Sequence, residues 1–297
     1  INTGAKYDSK VFKKSVGLNG VGTKAANALS SYFEIKSIRD KKSKLVEFEK
    51  GIIINENPIQ ENSGRRGTKV TFVPDEELFG KYRFINDYVE KMMWNYCYLN
   101  PGLTIIYNGE KFYSENGLFD LLEQRIDTEI LYPIIHLRGN DIEVAITHCK
   151  NQYSEQYYSF VNGQHTVQGG THQGAFRQAL VKTVRDFFGK NYDAVDIRQS
   201  INAAISIKVI EPIFESQTKN KLGNTEIRSE LVQRIKTVVL ELLHRNPAEA
   251  ELAVRKIEET QQMRKEINSV KKLAREKNKA VSIRIPQLKD CKKHYNA

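Results

Sequence analysis

Residues 17–22 read Gly17-Leu18-Asn19-Gly20-Val21-Gly22 and run straight into the helix-forming stretch Thr23 to Ser31. Each glycine removes a side chain where backbone amides must approach a ligand, and each permits positive φ. The helix that follows leaves its first amides unpaired and turns its positive dipole end toward the loop, which suits an oxyanion. The spacing is G-x-x-G-x-G, so it matches neither the dinucleotide fingerprint nor the Walker P-loop. Taken alone, the segment is also readable as a flexible entry to a helix. A second polar loop, Ser216-Gln217-Thr218-Lys219-Asn220-Lys221-Leu222, follows an apolar strand and precedes a long helix. Lys219 offers a point charge on a long stem, and Gln217 can orient a water or an oxyanion through its amide. Its plain alternative is a helix cap. Read together, the two loops make sense as two holders of one nucleotide triphosphate.

The chain has 297 residues, near twice the ~150-residue mode for a domain, which predicts two domains. Apolar residues make up 40%, enough for a core. No run approaches the ~18 apolar residues of a membrane span. No secretory leader opens the chain, which begins at Ile1 in mid-motif and reads as a piece of something longer. Cys97, Cys149 and Cys291 show no paired spacing, so a reduced, cytoplasmic setting is expected. The formal charge is +10 and is uneven, with 13 Lys or Arg against 6 Asp or Glu between Glu251 and Ala297. Such clustering points to a polyanionic partner, although a basic helix face is also simply well solvated.

Periodicity divides the chain near Ile126-Asp127-Thr128. Before that point, residues 33–38, 45–48 and 67–73 alternate as half-buried strands. Phe84, Tyr88, Met92 and Tyr96 recur every four residues, predicting a helix with one apolar face. Asn108-Gly109 predicts a hairpin between residues 103–107 and 111–113. After the boundary come strands at 130–137, 142–148 and 157–161, then a helix from Gly169-Gly170-Thr171 to about Phe188. A strand over 203–210 precedes the Lys219 loop. Two helices close the chain: one over 226–245 with Ile227, Leu231, Ile235, Val238 and Leu242 on one face, another from Pro247 to about Asn278. The second carries a narrow stripe of Ile257, Met263, Ile267, Val270 and Ala274, suited to docking along one seam.

Four motifs occur in fixed order. They are Thr3-Gly4-Ala5-Lys6-Tyr7-Asp8; Lys14-Ser15-Val16 leading into the glycine segment with Asn27-Ala28-Leu29-Ser30; Gly169-Gly170-Thr171-His172 with Gly174-Ala175-Phe176-Arg177; and Ser216 to Leu222. With the closing Ile285-Pro286-Gln287-Leu288-Lys289-Asp290-Cys291, they resemble the ATPase half of type IIA topoisomerase B subunits, the bacterial gyrase and topoisomerase IV family. The wording around Ser15 to Gly22 looks more like topoisomerase IV than gyrase. Departures from the family pattern are Val16, Asn19 and Phe12, where glycine, histidine and tyrosine are common.

That resemblance implies an α+β chain: a truncated GHKL-type ATPase α/β sandwich over 1–127, then a ribosomal-S5 domain-2-like transducer with long C-terminal helices over 128–297. It implies that Gly17, Leu18, Asn19, Gly20, Val21 and Gly22 form an ATP lid. By the same resemblance Lys6 and Phe12 lie near the nucleotide, Thr68 floors the adenine pocket, and Gln217 and Lys219 reach the γ-phosphate. Arg264, Lys265, Lys271, Lys272 and Arg275 are the implied contacts to double-stranded DNA. The longer protein would use ATP and Mg²⁺, pair with a topoisomerase A subunit in an A2B2 assembly, and dimerise through its B subunits on ATP binding. In the family the water-activating glutamate and magnesium-holding asparagine precede the segment where this sequence starts. The piece alone is therefore expected to be inactive and to bind no nucleotide tightly. Rival readings are a ribosomal-S5-like nucleic-acid-binding protein and a GHKL ATPase of mismatch-repair or chaperone type. The first leaves both polar loops unexplained, and the closing segment argues against both.

Overall fold

The computed structural model of the chain describes Lys14 and residues 20–281. The chain divides into two compact units, Ile1–Leu121 with Ser159–Gly170 and Ser206–Asn224, and Leu122–Tyr158 with Thr171–Ile205 and Thr225–Ala297.

In the first unit a short helix α1 (Val21–Ala28) leads into strands β1 (Ser30–Arg39), β2 (Lys42–Glu49), β3 (Ile52–Glu56), β4 (Gln60–Glu61) and β5 (Gly67–Pro74). The sheet runs β3-β2-β1-β5, with β4 also paired to β2. Register follows the alternation read from the sequence: Phe33 lies opposite Phe48 on one side and Phe72 on the other. One face is therefore apolar, and Phe33 meets Phe48 edge-on at 6.1 Å between centroids. The opposite face is polar: Tyr32 donates to Glu47 at 2.7 Å and Thr71 to Glu34 at 3.3 Å. The Glu47 hydrogen bond, aided by desolvation and both carboxylates, pushes the Tyr32 hydroxyl up to about 12.

After α2 (Glu76–Phe79) comes α3 (Asn86–Leu99), then the hairpin β6 (Thr104–Tyr107) and β7 (Glu110–Tyr113). Asn108 and Gly109 both take positive φ, 50° and 86°, as a two-residue hairpin turn of type I′ requires. The stripe expected to be the buried face of α3 is instead exposed at Phe84, Tyr88, Met92 and Tyr96. The helix turns Cys97 and Tyr98 inward, and Trp94 stacks on Tyr98 at 5.5 Å and meets Phe112 at 5.3 Å. The β6–β7 hairpin thus chooses the packed face, and fourfold spacing alone does not. Helix α4 (Leu118–Arg125) follows.

The remaining elements are β8 (Ile135–Arg138), β9 (Ile142–His148), β10 (Gln156–Val161), β11 (Gln164–His165), α5 (Thr171–Phe188), α6 (Ala194–Arg198), β12 (Ile201–Ile207), α7 (Arg228–Arg245) and α8 (Pro247–Val281). The strands order β11-β10-β12-β9-β8. β9 is buried along its whole length, the mark of a strand covered on both faces. β8 is shorter than the expected 130–137: Pro133 lacks an amide donor, and Ile130 keeps only an isolated bridge to Cys149. β12 ends at Ile207 rather than residue 210. There the Asn162 side chain replaces the ladder, accepting from the Val209 amide at 2.8 Å and donating to its carbonyl at 2.9 Å.

α5 and α7 pack against each other. The buried stripe of α7 is Leu231, Val232, Ile235, Val239, Leu242 and Leu243; Val239 replaces the expected Val238, as a 3.6-residue repeat drifts from a strict seam. On α8, Ala250, Ile257 and Thr260 are buried, but Met263 is 47% and Val270 64% exposed. The apolar stripe therefore docks only over the helix's first part.

Two buried histidines set a pH dependence. Tyr132 Oη lies 2.6 Å from His148 Nδ1, and His148 Nε2 lies 3.4 Å from the Ile197 carbonyl oxygen. Burial drives the His148 pKa down to about 4 and that of His172 to about 3. Below the unfolded value near 6.5 the unfolded chain takes up protons that the folded chain refuses, so stability falls with pH. Each histidine accounts for about 2 kcal/mol lost by pH 5. Urea denaturation at pH 7.5 and pH 5 should show this loss, and His148→Gln should remove about half of it; an unaltered pH dependence in that variant refutes the assignment.

Candidate functional site

Of the glycine segment, Gly17, Leu18 and Asn19 lie outside the described residues, as do Lys6, Phe12 and the closing segment 285–291. Gly20, Val21 and Gly22 lie within them. Gly20 caps α1 in the left-handed region at φ 59° and ψ 26°, with no side-chain cap. No acidic residue stands in the first turn, so the helix dipole and the leading amides meet no carboxylate of their own. That donor set fits an anion. A Cβ on Gly22 would meet nothing within 4 Å among the described residues, so packing against them does not demand glycine there.

Thr68 sits on β5 opposite Ser37. Alternation places it on the sheet face that carries Phe33, Phe48, Val70 and Phe72. Phe33 and Phe48 are buried, whereas Val70 and Phe72 beside Thr68 remain 49% and 43% exposed.

The Lys219 segment is a tightly tied excursion rather than a loose loop. Ile213 donates its amide to Asn224 Oδ1 at 2.5 Å, and Gly223 donates back to the Ile213 carbonyl at 2.8 Å. Glu215 donates to the Lys221 carbonyl at 3.1 Å, and the Lys219 amide closes a turn onto the Ser216 carbonyl at 3.0 Å. Ser216 and Thr218 hydroxyls share a 2.7 Å hydrogen bond across that turn. Gln217 occupies the exposed apex, and Lys219 follows in the left-handed region at φ 58°. Lys221 pairs with Glu215 at 2.9 Å; Lys219 forms no ion pair among the described residues.

What holds this excursion in place is the Gly169-Gly170 pair. Leu222, itself buried, donates its amide to the Gly169 carbonyl at 3.1 Å, and Gln168 donates to the Asn220 carbonyl at 3.0 Å. Gly170 has φ +124°, and a Cβ there would lie 2.4 Å from the Leu222 carbonyl oxygen and 2.5 Å from its amide nitrogen. Two motifs distant in sequence are thus one structural unit. The glycine pair is legible in the sequence as a helix entry, but its partner Leu222 carries no signal that names it. The Gly20 and Lys219 segments fall in the same compact unit.

The basic residues of α8 divide. Lys265, Lys271, Lys272 and Arg275 are exposed. Arg264 is engaged: its Nε and Nη2 donate to both carboxylate oxygens of Asp196 at 2.8 Å, and Nη2 also reaches Asp193 at 3.0 Å. The Asp196 hydrogen bond holds the guanidinium pKa above its ordinary value. Arg264 is therefore the one of the five least suited to a phosphate. Its acidic partners, on and just before the five-residue α6, escaped the sequence reading because so short a helix shows no periodicity. Asp196→Ala removes the bidentate partner and leaves a part-buried cation beside Asp193 alone. It should lower the melting temperature and increase hydrogen exchange along α8; unaltered exchange there contradicts a clamping role.

The match to known proteins is decided by residues 104–273, which fit the family model described as DNA gyrase B. The chain belongs to that family, the B subunits of type IIA topoisomerases. It is 46% identical over 297 residues to the B subunit of DNA topoisomerase 4 from Borreliella burgdorferi, covering 100% of this chain and 49% of that protein. To the B subunit of DNA gyrase from Helicobacter pylori it is 31% identical over 314 residues, covering 98% of this chain and 40% of that one. The two figures favour the topoisomerase IV wording over gyrase, as the glycine segment does. The chain spans about half the length of the curated relative it matches at 46%. In three dimensions it resembles the 43K ATPase domain of Thermus thermophilus gyrase B, solved in complex with an aminocoumarin. That likeness has a TM-score of 0.70 at 26% identity, over 86% of this chain and 75% of the other. The α+β class expected for this gyrase B family member is borne out.

Proposed function

We propose that the chain is part of the ATPase subunit of an ATP-dependent type II DNA topoisomerase, in which ATP binding and hydrolysis drive strand passage, relaxation and decatenation. The observation that carries the reading is the Lys219 turn: a cation with no ion-pair partner among the described residues, held on a hydrogen-bonded platform, in a chain of the gyrase B family. A bound nucleotide triphosphate, with Mg²⁺, supplies a terminal phosphoryl group that exists before hydrolysis and is gone after it. Gly20, Val21 and Gly22, continuing Gly17, Leu18 and Asn19, offer backbone amides to phosphate. Lys6 and Phe12 flank the nucleotide, Thr68 lies beside the base, and Lys219 with Gln217 binds the terminal phosphoryl oxygens. A hydrogen bond to a charged group contributes about 1.5–3 kcal/mol, enough to move a two-state hinge by one or two decades.

In this reading residues 1–127 are ATPase domain and 128–297 transducer. Lys265, Lys271, Lys272 and Arg275, with Arg264 as a strut, line a surface for duplex DNA. The partners are a topoisomerase A subunit in an A2B2 assembly and a second copy of the ATPase subunit, in the bacterial cytoplasm. No helix among the described residues is long and apolar enough to cross a membrane. The test is reconstitution of the intact subunit with its A partner on interlinked DNA circles. ATP-dependent unlinking is expected, and DNA that stays linked in the presence of ATP and Mg²⁺ sinks the reading.

A further inference from the structure

The Lys219 excursion is tied at three places to one stretch of chain, residues 162–170. Near its far end Leu222 meets Gly169, and midway the Gln168 amide meets the Asn220 carbonyl. Both of those ties run from backbone to backbone. The third, at the base, is made by the side chain of Asn162. Asn162 and Gly163 form the two-residue turn between β10 and β11, since Val161 pairs with Gln164. Both take positive φ, 51° and 84°, which asparagine and glycine tolerate best. From that turn the Asn162 carboxamide reaches the exit of β12. It accepts from the Val209 amide at 2.8 Å and donates to the Val209 carbonyl at 2.9 Å, while the Asn162 amide donates to the Ile207 carbonyl at 2.9 Å. Val209 is buried, so both of its backbone groups need partners. A carboxamide supplies donor and acceptor together, as a peptide group does, whereas aspartate lacks the donor and alanine lacks both.

The place of this clamp gives it a consequence at the lysine. Beyond Val209 the chain passes Glu211, in the left-handed region at φ 51°, and Pro212, whose ring nitrogen donates no hydrogen bond. It then enters the neck at which Asn224 accepts the Ile213 amide at 2.5 Å. Releasing Val209 frees the base on which that neck stands, and any displacement there is carried up to the Lys219 turn. A misplacement of about 1 Å at a reacting group can cost about a hundredfold. We infer that Asn162 is a positioning residue for the proposed nucleotide site: its carboxamide fixes the base of the excursion so that Lys219 meets the terminal phosphoryl group. Asn162 itself touches no nucleotide and acts through the lysine. The inference rests on the proposed role of Lys219 and deepens it.

The test titrates the intact subunit with ADP and with a non-hydrolysable ATP analogue in a calorimeter. ADP lacks the terminal phosphoryl group, so the ratio of the two affinities isolates the contact assigned to Lys219. Asn162→Gly is the main variant, because glycine accepts the φ of 51° at the turn and loses only the clamp. It should lower the preference for the analogue over ADP by about tenfold, with ADP affinity and stoichiometry as in wild type. Asn162→Asp keeps an acceptor for the Val209 amide and should fall between the two. In a Lys219→Ala background, Asn162→Gly should alter the ratio by less than about twofold, since its effect runs through the lysine. The inference is overturned if Asn162→Gly keeps the wild-type preference while Lys219→Ala loses it. It is equally overturned if Asn162→Gly lowers the preference as much without Lys219 as with it, or weakens ADP and the analogue in the same proportion. Should the glycine variant fail to fold, the same readings on Asn162→Asp decide. If Lys219→Ala itself leaves the preference unchanged, the proposed role of the lysine falls and this inference falls with it.

Discussion

If Lys219 binds the terminal phosphoryl group as proposed, Lys219→Ala in the intact, reconstituted subunit should abolish ATP-driven strand passage and leave adenine-nucleotide binding largely in place. The turn explains why so small a change is specific. Lysine and alanine both pay the left-handed penalty at φ 58°, so the backbone at residue 219 is no more strained after the substitution. The Lys219 amide still closes onto the Ser216 carbonyl, and the platform built on Asn224 and Leu222 is untouched. What disappears is a charged donor worth about 1.5–3 kcal/mol, or one to two decades in the population of the nucleotide-closed state. Lys219→Arg should restore activity only in part, because a planar fork does not reproduce a point charge. Decatenation at the wild-type rate by Lys219→Ala would remove the lysine from the mechanism.

Gly170→Ala should be strongly destabilising. The added carbon meets backbone atoms of Leu222 at 2.4 and 2.5 Å, in a conformation, φ +124°, that L residues rarely adopt. Backbone cannot rotate away as a side-chain tip would, so the Leu222 segment must shift and carry the Lys219 turn with it. Local strain and the lost Leu222–Gly169 pairing together cost about 3 kcal/mol or more. Strand passage should fall with stability, although Gly170 is a positioning residue that touches no phosphate. Gly174→Ala is the control: its Cβ meets nothing within 4 Å and its backbone is helical, so it should be neutral or stabilising by up to about 1 kcal/mol. Equal melting temperatures for Gly170→Ala and wild type would show that the clash is relieved elsewhere.

Most elements were legible because their signals are local. The alternation of β1, β2 and β5, the Asn108-Gly109 turn and the start of α5 after Gly169-Gly170 all follow from residues a few positions apart. What escaped the sequence depends on partners. The packed side of α3 was chosen by the β6–β7 hairpin against a regular Phe84 to Tyr96 stripe. Arg264 reads as one more cation in a basic helix until Asp193 and Asp196 arrive beside it. A recess lined by Arg177, Lys182, Arg185, Arg198 and Arg228 gathers charges from three helices whose spacing in sequence carries no common period. Within the candidate nucleotide site, residue types alone pointed to Gly20 to Gly22 and Lys219 as candidates for phosphate contact. The brace between Gly170 and Leu222 became visible only in three dimensions.

The most direct measurement places nitroxide labels on Lys24→Cys, in α1, and Glu215→Cys, beside the Lys219 turn, in the intact subunit. Distances between them are read by double electron–electron resonance with and without a non-hydrolysable ATP analogue. Binding of the analogue should collapse the distribution to one shorter, narrower peak, and Lys219→Ala should prevent that collapse. Identical distributions with and without the analogue, at saturating nucleotide and with Lys219 present, would contradict a phosphate-mediated link between the two loops.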